Sequence, residues 1–408
     1  YSRLPGHPIP EYVYFFLPQR HSFAFNLCTA LLSTIAVLLF YLICNKYKLN
    51  ATAGALMLAF TPVFYIQSTN AMDYNWSLCF LLASLYFAGR RKIFLVAFML
   101  ALATGCRITA ILFILPLCIY LYKADKSWKH IRQLLFLTPI LSTLCYLPLI
   151  LKYQLKFLTY VNQFGYPSVL KTIYKASFGV WGTLGFIVIV IAFGYALQNI
   201  IIGNQSRKYK PILLCAASTI IIYTLLFFYE PHKSAYLIPI IPFVFIIILI
   251  ALQDKVWPVV ITASLATSCF FAGINLAEPN RSALPGKFAL TRKVNNQRIC
   301  FDPLSGNVVD DYAKRIQRIK YAESVIEKVQ HLQGGNAVIC GYWVNMISIL
   351  SIGHLNEQIT LLHYADEQEL IRLKNANMKI YYIPGQDSFN DVCFKSVFTH
   401  KWAKSLFP

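Results

Sequence analysis

Polar residues that could do chemistry stand in short stretches between the long apolar runs of this sequence. The stretch "EPHKSAY" begins at Glu230 and carries His232 and Lys233, while "NAMDYNW" carries Asp73 and "ATGCRITA" carries Arg107. A carboxylate can accept a hydroxyl proton, and the planar guanidinium of arginine suits a phosphate. These residue types suit proton transfer and phosphate binding, if the fold brings them together.

The first stretch of the chain, "YSRLPGHPIPEYVYFFLP", adds Arg3, His7 and Glu11 among prolines. Proline fixes the backbone φ angle, so the alternative to a binding site is a rigid turn ahead of the first membrane helix. Simpler roles are open to the other candidates as well. Asp73 could cap a helix N-terminus, Arg107 could reach from the membrane boundary to water, and "EPHKSAY" could be a solvated loop.

The composition of the 408 residues indicates a membrane protein. Hydrophobic residues make up 57% of the chain and charged residues 13%, against about 25% charge in a soluble domain. The net charge of +20 comes mainly from short loops between apolar runs, which favours membrane lipids over nucleic acid as the partner. The eleven cysteines form no CxxC pair, so they predict neither a disulfide framework nor a zinc site.

The apolar runs predict the membrane passes, because a spanning helix needs about 20 apolar residues. Runs of this length or somewhat shorter lie at 23–44, 51–69, 74–89, 93–105, 109–122, 131–151, 178–202, 211–229, 236–252 and 257–276. We therefore predict a polytopic α-helical membrane protein with about ten membrane helices.

The positions of the basic residues predict which loops share a membrane face. Lysines and arginines cluster after the runs at 23–44, 74–89, 109–122, 178–202 and 236–252. Because basic loops stay in the cytoplasm, segment 93–122 must cross twice and turn near Arg107. The exoplasmic face then receives residues 1–22, the Asp73 loop, Arg107, segment 152–177, the "EPHKSAY" loop and everything after 277. Most of the ionisable candidates therefore share one face.

Three parts of the chain follow from these patterns. Residues 1–22 form an exoplasmic juxtamembrane segment, 23–276 a multi-pass domain and 277–408 an exoplasmic domain. In the last part, a helical period over 307–332 and the strand-like "NAVICGYWV", "QITLL" and "MKIYYIP" around "DEQELIRLKNA" predict a small α/β fold. The amphipathic segment 152–175 is predicted to lie in the membrane interface, with a surface loop as the alternative.

Four stretches carry a family resemblance: "SRLPGHPIPEYVY", "STNAMDYNWSLCFLLASLYF", "LALATGCRITAILFILP" and "PHKSAYLIPIIPF". Their order resembles the GT-C class of polytopic membrane glycosyltransferases, in the branch of protein O-mannosyltransferases and the lipid A aminoarabinose transferase. The resemblance covers residues 1–276. It implies inverting transfer of a sugar from a polyprenyl-phosphate-linked donor to a lipid, glycan or protein acceptor at the exoplasmic face.

The resemblance also implies roles for single residues. The expected catalytic carboxylates are Glu11 and Asp73, and the expected substrate contacts are Arg3, His7, Arg107, His232, Lys233 and Tyr236. In this class the main catalytic aspartate precedes the proline-rich element. Either that residue and a first helix lie upstream of Tyr1, or the protein lacks them and Glu11 or Asp73 has to serve in its place. Some branches of this class use a divalent metal. A divalent metal is therefore a possible cofactor here, but the resemblance assigns it no ligands.

Two other functions are left open by the sequence. One is a multi-pass transporter or flippase of a lipid-linked or amphipathic solute, although the chain shows no internal repeat of the kind such proteins carry. The other is a non-catalytic relative that binds a polyprenyl lipid. For each of these functions we expect an integral protein of a bacterial inner or plasma membrane.

Overall fold

The computed structural model of the chain describes residues 6–17, 22–154, 166–202, 206–252, 256–277, 288–294, 297–332, 334–351, 359–362, 365, 367–383 and 404–405. Arg3, an expected substrate contact, lies outside these residues. The described chain forms two compact units. The first includes the residues up to Leu276 and those that lead to Val309, and the second includes those from Asp310 onward.

The first unit is helical over most of its length. Its helices are α1 (Pro8–Phe16), α2 (Ser22–Lys46), α3 (Ala51–Ala59), α4 (Pro62–Ser68), α5 (Tyr74–Ala88), α6 (Ile93–Cys106), α7 (Ile114–Asp125), α8 (Trp128–Tyr153), α9 (Val169–Ala176), α10 (Phe178–Trp181), α11 (Thr183–Ile202), α12 (Ser206–Tyr229), α13 (Ile241–Ala251) and α14 (Val256–Phe270). Two 3₁₀ segments, Ile108–Phe113 and Ser234–Ile240, lead directly into α7 and α13.

Among the described residues, five helices are long and apolar enough to cross a membrane. They cover Phe23–Lys46, Trp128–Leu151, Thr183–Ile201, Tyr209–Tyr229 and Ser234–Ala251. Helices α3 and α4 together would make a sixth span, and shorter apolar helices lie at Tyr74–Ala88, Ile93–Cys106, Ile108–Ala124 and Val256–Phe270. The chain is an integral membrane protein, and the count of ten passes stays a prediction.

The bend between α3 and α4 has a local cause. The two helices meet at an angle of 69°, where Pro62 opens α4 and Thr61 before it is extended. Proline has no N–H to continue the hydrogen-bond ladder of α3, and it disfavours helical geometry in the residue before it. The Thr61 hydroxyl donates to the Met57 carbonyl at 2.7 Å, which satisfies one of the acceptors that the break leaves open.

A buried polar seam holds α5 against α2 and α4. The Trp76 indole N–H donates to the Thr29 hydroxyl at 2.9 Å. The Asn75 amide donates to the Ser33 hydroxyl at 2.9 Å and to the Phe64 carbonyl at 3.1 Å. Breaking a buried bond leaves a polar group unpaired, which costs about 1–3 kcal/mol. The seam therefore fixes the rotation of α5 and the position of the residues at its start.

Contacts between loops show which loops lie at each of the two ends of the first unit. At one end, Asp73 before α5 pairs with Arg107 after α6. At the other end, the Lys46 ammonium donates to the Gly89 carbonyl, and the Tyr47 and Tyr120 hydroxyls lie 2.8 Å apart. Successive helices thus run between the same two ends, as the predicted alternation of loops requires.

The end of the last apolar run differs from its prediction as a membrane helix over 257–276. Helix α14 ends at Phe270, and strand β1 (Gly273–Ala277) follows it. The Gly273 N–H donates to the Ser305 carbonyl at 2.8 Å, and the Ala272 N–H donates to the Pro303 carbonyl at 3.0 Å. The residues after Phe270 pair with a distant segment, which a count of apolar residues does not detect. Strands β2 (Leu290–Val294) and β3 (Gln297–Asp302) complete a sheet of order β1-β3-β2.

The second unit has the alternating pattern expected for a small α/β fold. Its parallel sheet has the order β5-β4-β6-β7, with strands β4 (Asn336–Ile339), β5 (Ile359–Leu362), β6 (Lys379–Tyr382) and β7 (Lys404–Ser405). Helices α15 (Asn307–Gln330), α16 (Val344–Leu350) and α17 (Glu367–Asn375) alternate with the strands. Helix α15 agrees closely with the helix predicted over 307–332.

Candidate active site

The proline-rich stretch near the start of the chain forms a short helix instead of the turn that its prolines suggest. Gly6 has a φ of 91°, a conformation that glycine adopts without strain, and α1 begins two residues later with Pro8 at its first position. The Glu11 carboxylate accepts a bond from the His7 backbone N–H at 3.2 Å. Glu11, an expected catalytic residue, therefore closes the first turn of α1.

Helix α1 lies against α6 because of a glycine in "ATGCRITA". A Cβ added to Gly105 would lie 2.5 Å from Cγ1 of Ile9, so any larger residue would push the two helices apart. The close approach brings His7 to the end of α6. There its ring Nδ1 lies 2.7 Å from the Cys106 carbonyl oxygen. A carbonyl only accepts hydrogen bonds, so Nδ1 carries the proton in this contact.

Asp73 is the buried acid of the site. Its carboxylate lies 2.7 Å from Nη1 of Arg107 and 3.5 Å from Nδ1 of His7, and its side chain is 9% exposed. Asp73 occupies the N-cap position of α5, but its side chain makes no capping bond. The capping alternative is therefore wrong for the carboxylate, which pairs with Arg107.

Arg107 stands at the junction of α6 and the 3₁₀ segment that precedes α7, and two aromatic rings flank its guanidinium. The Cζ atom is 4.3 Å from the centre of the Tyr74 ring and 4.9 Å from that of Tyr236. Cation–π contacts of this kind stabilise a cation more strongly away from water, and the Arg107 side chain is only 20% exposed. The guanidinium points to Asp73, and not out to water as the alternative proposed.

The electrostatics of the cluster keep both partners charged. Burial alone would raise the pKa of Asp73, but the charges of Arg107 and His7 outweigh it and hold that pKa below its ordinary value. Burial likewise acts to lower the pKa of Arg107, and Asp73 reverses the effect. An ion pair with little access to water is stable only with good geometry and further partners, which the tyrosine rings and His7 supply.

A cavity of about 210 Å³ opens beside this ion pair. Arg107, Tyr74 and Tyr236 line it together with Tyr223 and Glu230 near the end of α12. Burial raises the pKa of Glu230 above its ordinary value, and the positive charge of Arg107 acts against that shift. The cavity thus presents a cation, a carboxyl group and several aromatic rings to a ligand.

The loop after α12 is held in place from α9. The Lys175 ammonium donates to the carbonyls of Pro231 at 3.2 Å and His232 at 2.6 Å. Burial, followed by the charges of Lys175 and Lys233, lowers the pKa of His232, so its ring is neutral at pH 7. The expected contact Lys233 is exposed.

The structure brings together four of the expected residues, namely His7, Asp73, Arg107 and Tyr236. Glu11 contacts the backbone of His7, and His232 and Lys233 lie in the loop beside the cavity wall. Their roles in binding or catalysis stay predictions.

Sequence reasoning missed Tyr74, Tyr223 and Glu230 as cavity residues. Tyr74 directly follows Asp73, and Glu230 opens the polar loop that was singled out, so two of the three stood beside a recognised signal. Tyr223 lies inside an apolar run that gave none. Among the described residues, no three His, Cys, Asp or Glu side chains come close enough to hold a metal ion.

Residues 12–285, which include every described residue of the cavity wall, match the EpsG family. No curated protein and no solved structure matches the chain.

Proposed function

Because the chain belongs to the EpsG family, a membrane family associated with glycosyl transfer in polysaccharide polymerisation, we propose that it transfers a sugar from a polyprenyl-phosphate-linked donor to an acceptor hydroxyl. The family supports an action on lipid-linked sugars. The finer assignment to the GT-C class, with inversion at the anomeric carbon, is part of the proposal and comes from the resemblance of the four sequence stretches.

One observation carries the proposal: Arg107 is mostly buried and held by Asp73 and two tyrosine rings, yet it lines a cavity. A guanidinium has five N–H donors, and within the described part of the chain only Nη1 has an acceptor, the Asp73 carboxylate. The remaining donors can take two oxygens of a phosphate, which is the bidentate geometry that arginine favours. Asp73, Tyr74 and Tyr236 hold the guanidinium in place before the ligand arrives, so little reorganisation is needed on binding.

The proposed reaction uses this arrangement as follows. An acceptor hydroxyl oxygen attacks the anomeric carbon of the sugar, and the bond between that carbon and the phosphate oxygen breaks. The electron pair of the broken bond leaves with the polyprenyl phosphate, where Arg107 stabilises the added negative charge. A carboxylate accepts the hydroxyl proton. Glu11 and Asp73 are the acids expected for that step from the sequence.

The location of the site is also proposed. The two ends of the first unit differ in their basic loops, and the basic end is expected to face the cytoplasm. The Arg107 end then faces the exoplasmic side of a bacterial inner or plasma membrane. A carrier with its polyprenyl chain in the bilayer would present its phosphate at that boundary.

The test is carrier-dependent transfer by membranes that contain the full chain. Radiolabelled polyprenyl-phosphate sugars are supplied, and wild type is compared with Arg107→Ala at equal expression. Removal of one such donor of charge stabilisation is expected to lower kcat about 100- to 1,000-fold. Lack of transfer or hydrolysis by the wild type with every sugar donor would contradict the proposed function.

A further inference from the structure

Glu230 lines the cavity from a position that its backbone hydrogen bonds fix. Its backbone N–H donates to the Leu226 carbonyl at 3.1 Å, which continues the last turn of α12, and its own carbonyl accepts the His232 N–H at 2.9 Å. The residue therefore sits on the end of a long helix and not on a free loop. Glu230 and Arg107 line the same cavity.

The three carboxylates at this end of the unit differ in their partners. Asp73 is bonded to Arg107, and Glu11 accepts the His7 N–H. Within the described part of the chain, the Glu230 carboxylate has neither a hydrogen-bond partner nor an ion-pair partner. Of the three, Glu230 alone is part of the cavity wall. A group that must accept a proton from a ligand needs a free lone pair and access to that ligand, and Glu230 has both.

We propose that Glu230 is the general base of the transfer reaction, and that Asp73 is a positioning residue that holds Arg107. This inference rests on the proposed function. The acceptor hydroxyl forms its new bond to the anomeric carbon while its proton passes to the Glu230 carboxylate. The phosphate leaves with the electron pair of the broken C–O bond beside Arg107. The protonated Glu230 then returns its proton to water, so that each turnover balances.

The surroundings of Glu230 suit this role. The titratable groups that line the cavity with it are Arg107, Tyr74, Tyr223, Tyr229 and Tyr236. Burial raises the pKa of Glu230, and a base is most effective when its pKa lies near the working pH. The positive charge of Arg107 acts against that rise.

The experiment measures donor KM, kcat and the pH profile of kcat for full-length wild type, Glu230→Gln and Glu230→Asp. The Gln variant is expected to lose about 100-fold or more in kcat, within the 10²–10⁴ range of general base catalysis, with its donor KM within about threefold of wild type. Its remaining activity should lack the acidic limb of the profile. The Asp variant keeps a carboxylate, so it should keep that limb at a reduced rate. Glu323→Gln, on the exposed face of α15, is the matched control.

If Glu230→Gln folds, either of two results would overturn the inference. One is a Gln variant whose kcat stays within about threefold of wild type. The other is an acidic limb that persists unchanged in the Gln variant but is lost in Asp73→Asn, which would make Asp73 the base. If Glu230→Gln does not fold, loss of the acidic limb in a folded Glu230→Asp would count against Glu230. Failure of the wild type to turn over any donor would instead reject the proposed function, which keeps the two failures distinct.

Discussion

The two ends of the helical unit use their cations in different ways. At the basic end, Lys46 donates to the Gly89 carbonyl, and the exposed Arg90 lies over the Tyr86 ring at 4.4 Å. Lys48, Arg91 and Lys126 at the same end have positive φ values of 57°, 60° and 52°, each just after a helix. At the other end, the mostly buried Arg107 contacts a carboxylate and two rings beside a cavity.

The difference separates cations that set topology from a cation that can do chemistry. Basic side chains at helix C-termini interact favourably with the helix dipole, and they are expected to keep a loop in the cytoplasm without any ligand. Burying an arginine costs folding free energy unless the charge is paired. In the first unit, Asp73, Tyr74 and Tyr236 contact Arg107 and offset that cost. An arginine that is both paired and exposed to a cavity is therefore a better indication of a binding site than a cation in a basic loop.

The largest effect is expected from removing the buried cation. Arg107→Ala should lower kcat about 100- to 1,000-fold and destabilise the unit by about 3–5 kcal/mol, because Asp73 is left as an unpaired buried charge. Initial rates and thermal unfolding in detergent measure the two effects. Arg90→Ala is the control from the basic end. It should change kcat by less than about threefold, because Arg90 does not line the cavity, and it should destabilise the unit by only about 0.5–1 kcal/mol, the contribution of an exposed cation–π contact. Equal losses in both variants would erase the distinction between the ends.

The next effect concerns Asp73 and sharpens the division of roles. Asp73→Asn can still accept a bond from Arg107, so we expect kcat to fall about 10- to 100-fold, a loss of roughly 1.4–2.7 kcal/mol in transition-state stabilisation. The kcat of this variant should be lower at every pH, but kcat should still fall on the acidic side, because we assign that fall to protonation of Glu230. A profile of Asp73→Asn that is flat on the acidic side would contradict this assignment.

The direction of the Asp73 pKa shift determines the pH range in which the ion pair between Asp73 and Arg107 stabilises the folded protein. Its pKa is depressed in the folded protein. The stabilisation is therefore complete above the ordinary pKa, about 3.9, and is lost only as the pH falls through the lower folded value. Between pH 5 and 8 the pair stays intact. Thermal unfolding of the wild type over that range should show no loss from this pair.

Much of the first unit could be predicted from the sequence. The apolar runs gave the helices, and the alternation of basic loops placed Asp73, Arg107 and Tyr236 at one end, where the structure brings them into contact. What the pattern could not give is rotation about the helix axes. Whether Glu230 faces Arg107 or lipid depends on packing of α12 against its neighbours, which no single run of residues encodes.

A glycine pair tests how the site depends on α1. In Gly105→Ala the new Cβ would overlap Ile9, so overpacking should cost about 1–3 kcal/mol, partly offset by the better helix propensity of alanine, about 1 kcal/mol. We expect about a tenfold loss of kcat, since displacement of His7 by an ångström can cost up to 10²-fold. Rates and unfolding temperatures in detergent measure both effects.

Gly194→Ala in α11 is the matched control. A Cβ at Gly194 meets nothing within 4 Å, so the substitution should leave kcat unchanged and raise stability by up to about 1 kcal/mol. The two glycines are thus expected to differ in the sign of their effect. A stabilised and fully active Gly105→Ala variant would show that the contact of α1 with α6 does not matter to the site.

The smallest effect is expected from the hydrogen bonds that Lys175 of α9 donates to the loop after α12. Lys175→Met removes the donors to the Pro231 and His232 carbonyls, and should lower kcat about three- to tenfold because the Glu230 turn is less firmly held. It should also raise the His232 pKa, since the charge of Lys175 contributes to its depression. Lys171→Met, on the same helix, is the control in the rate assay, and NMR titration of His232 gives the pKa. An unchanged rate and an unchanged His232 pKa would show that the hydrogen bonds from Lys175 to this loop do not matter to the site.

Other features of the fold were beyond the sequence patterns for physical reasons. The number of prolines near the start of the chain suggested a turn. In the structure, Pro8 and Pro10 lie in the first turn of α1, where the backbone N–H groups of a helix have no partner within the helix, so prolines are tolerated there. Strand β1 was taken for the end of a membrane helix because its residues are apolar, whereas its partners lie about 30 residues away. Local composition reports burial, and it does not report which distant backbone a segment pairs with.

The most direct test of the central claim is a structure of the full-length protein with a polyprenyl-phosphate sugar bound, in which the position of the phosphate is read. We predict that the phosphate lies within hydrogen-bond distance, about 3 Å, of the Arg107 guanidinium, with the sugar in the cavity beside Glu230. A phosphate held at the basic end, near Lys46 and Arg90, with an empty cavity at Arg107, would contradict it.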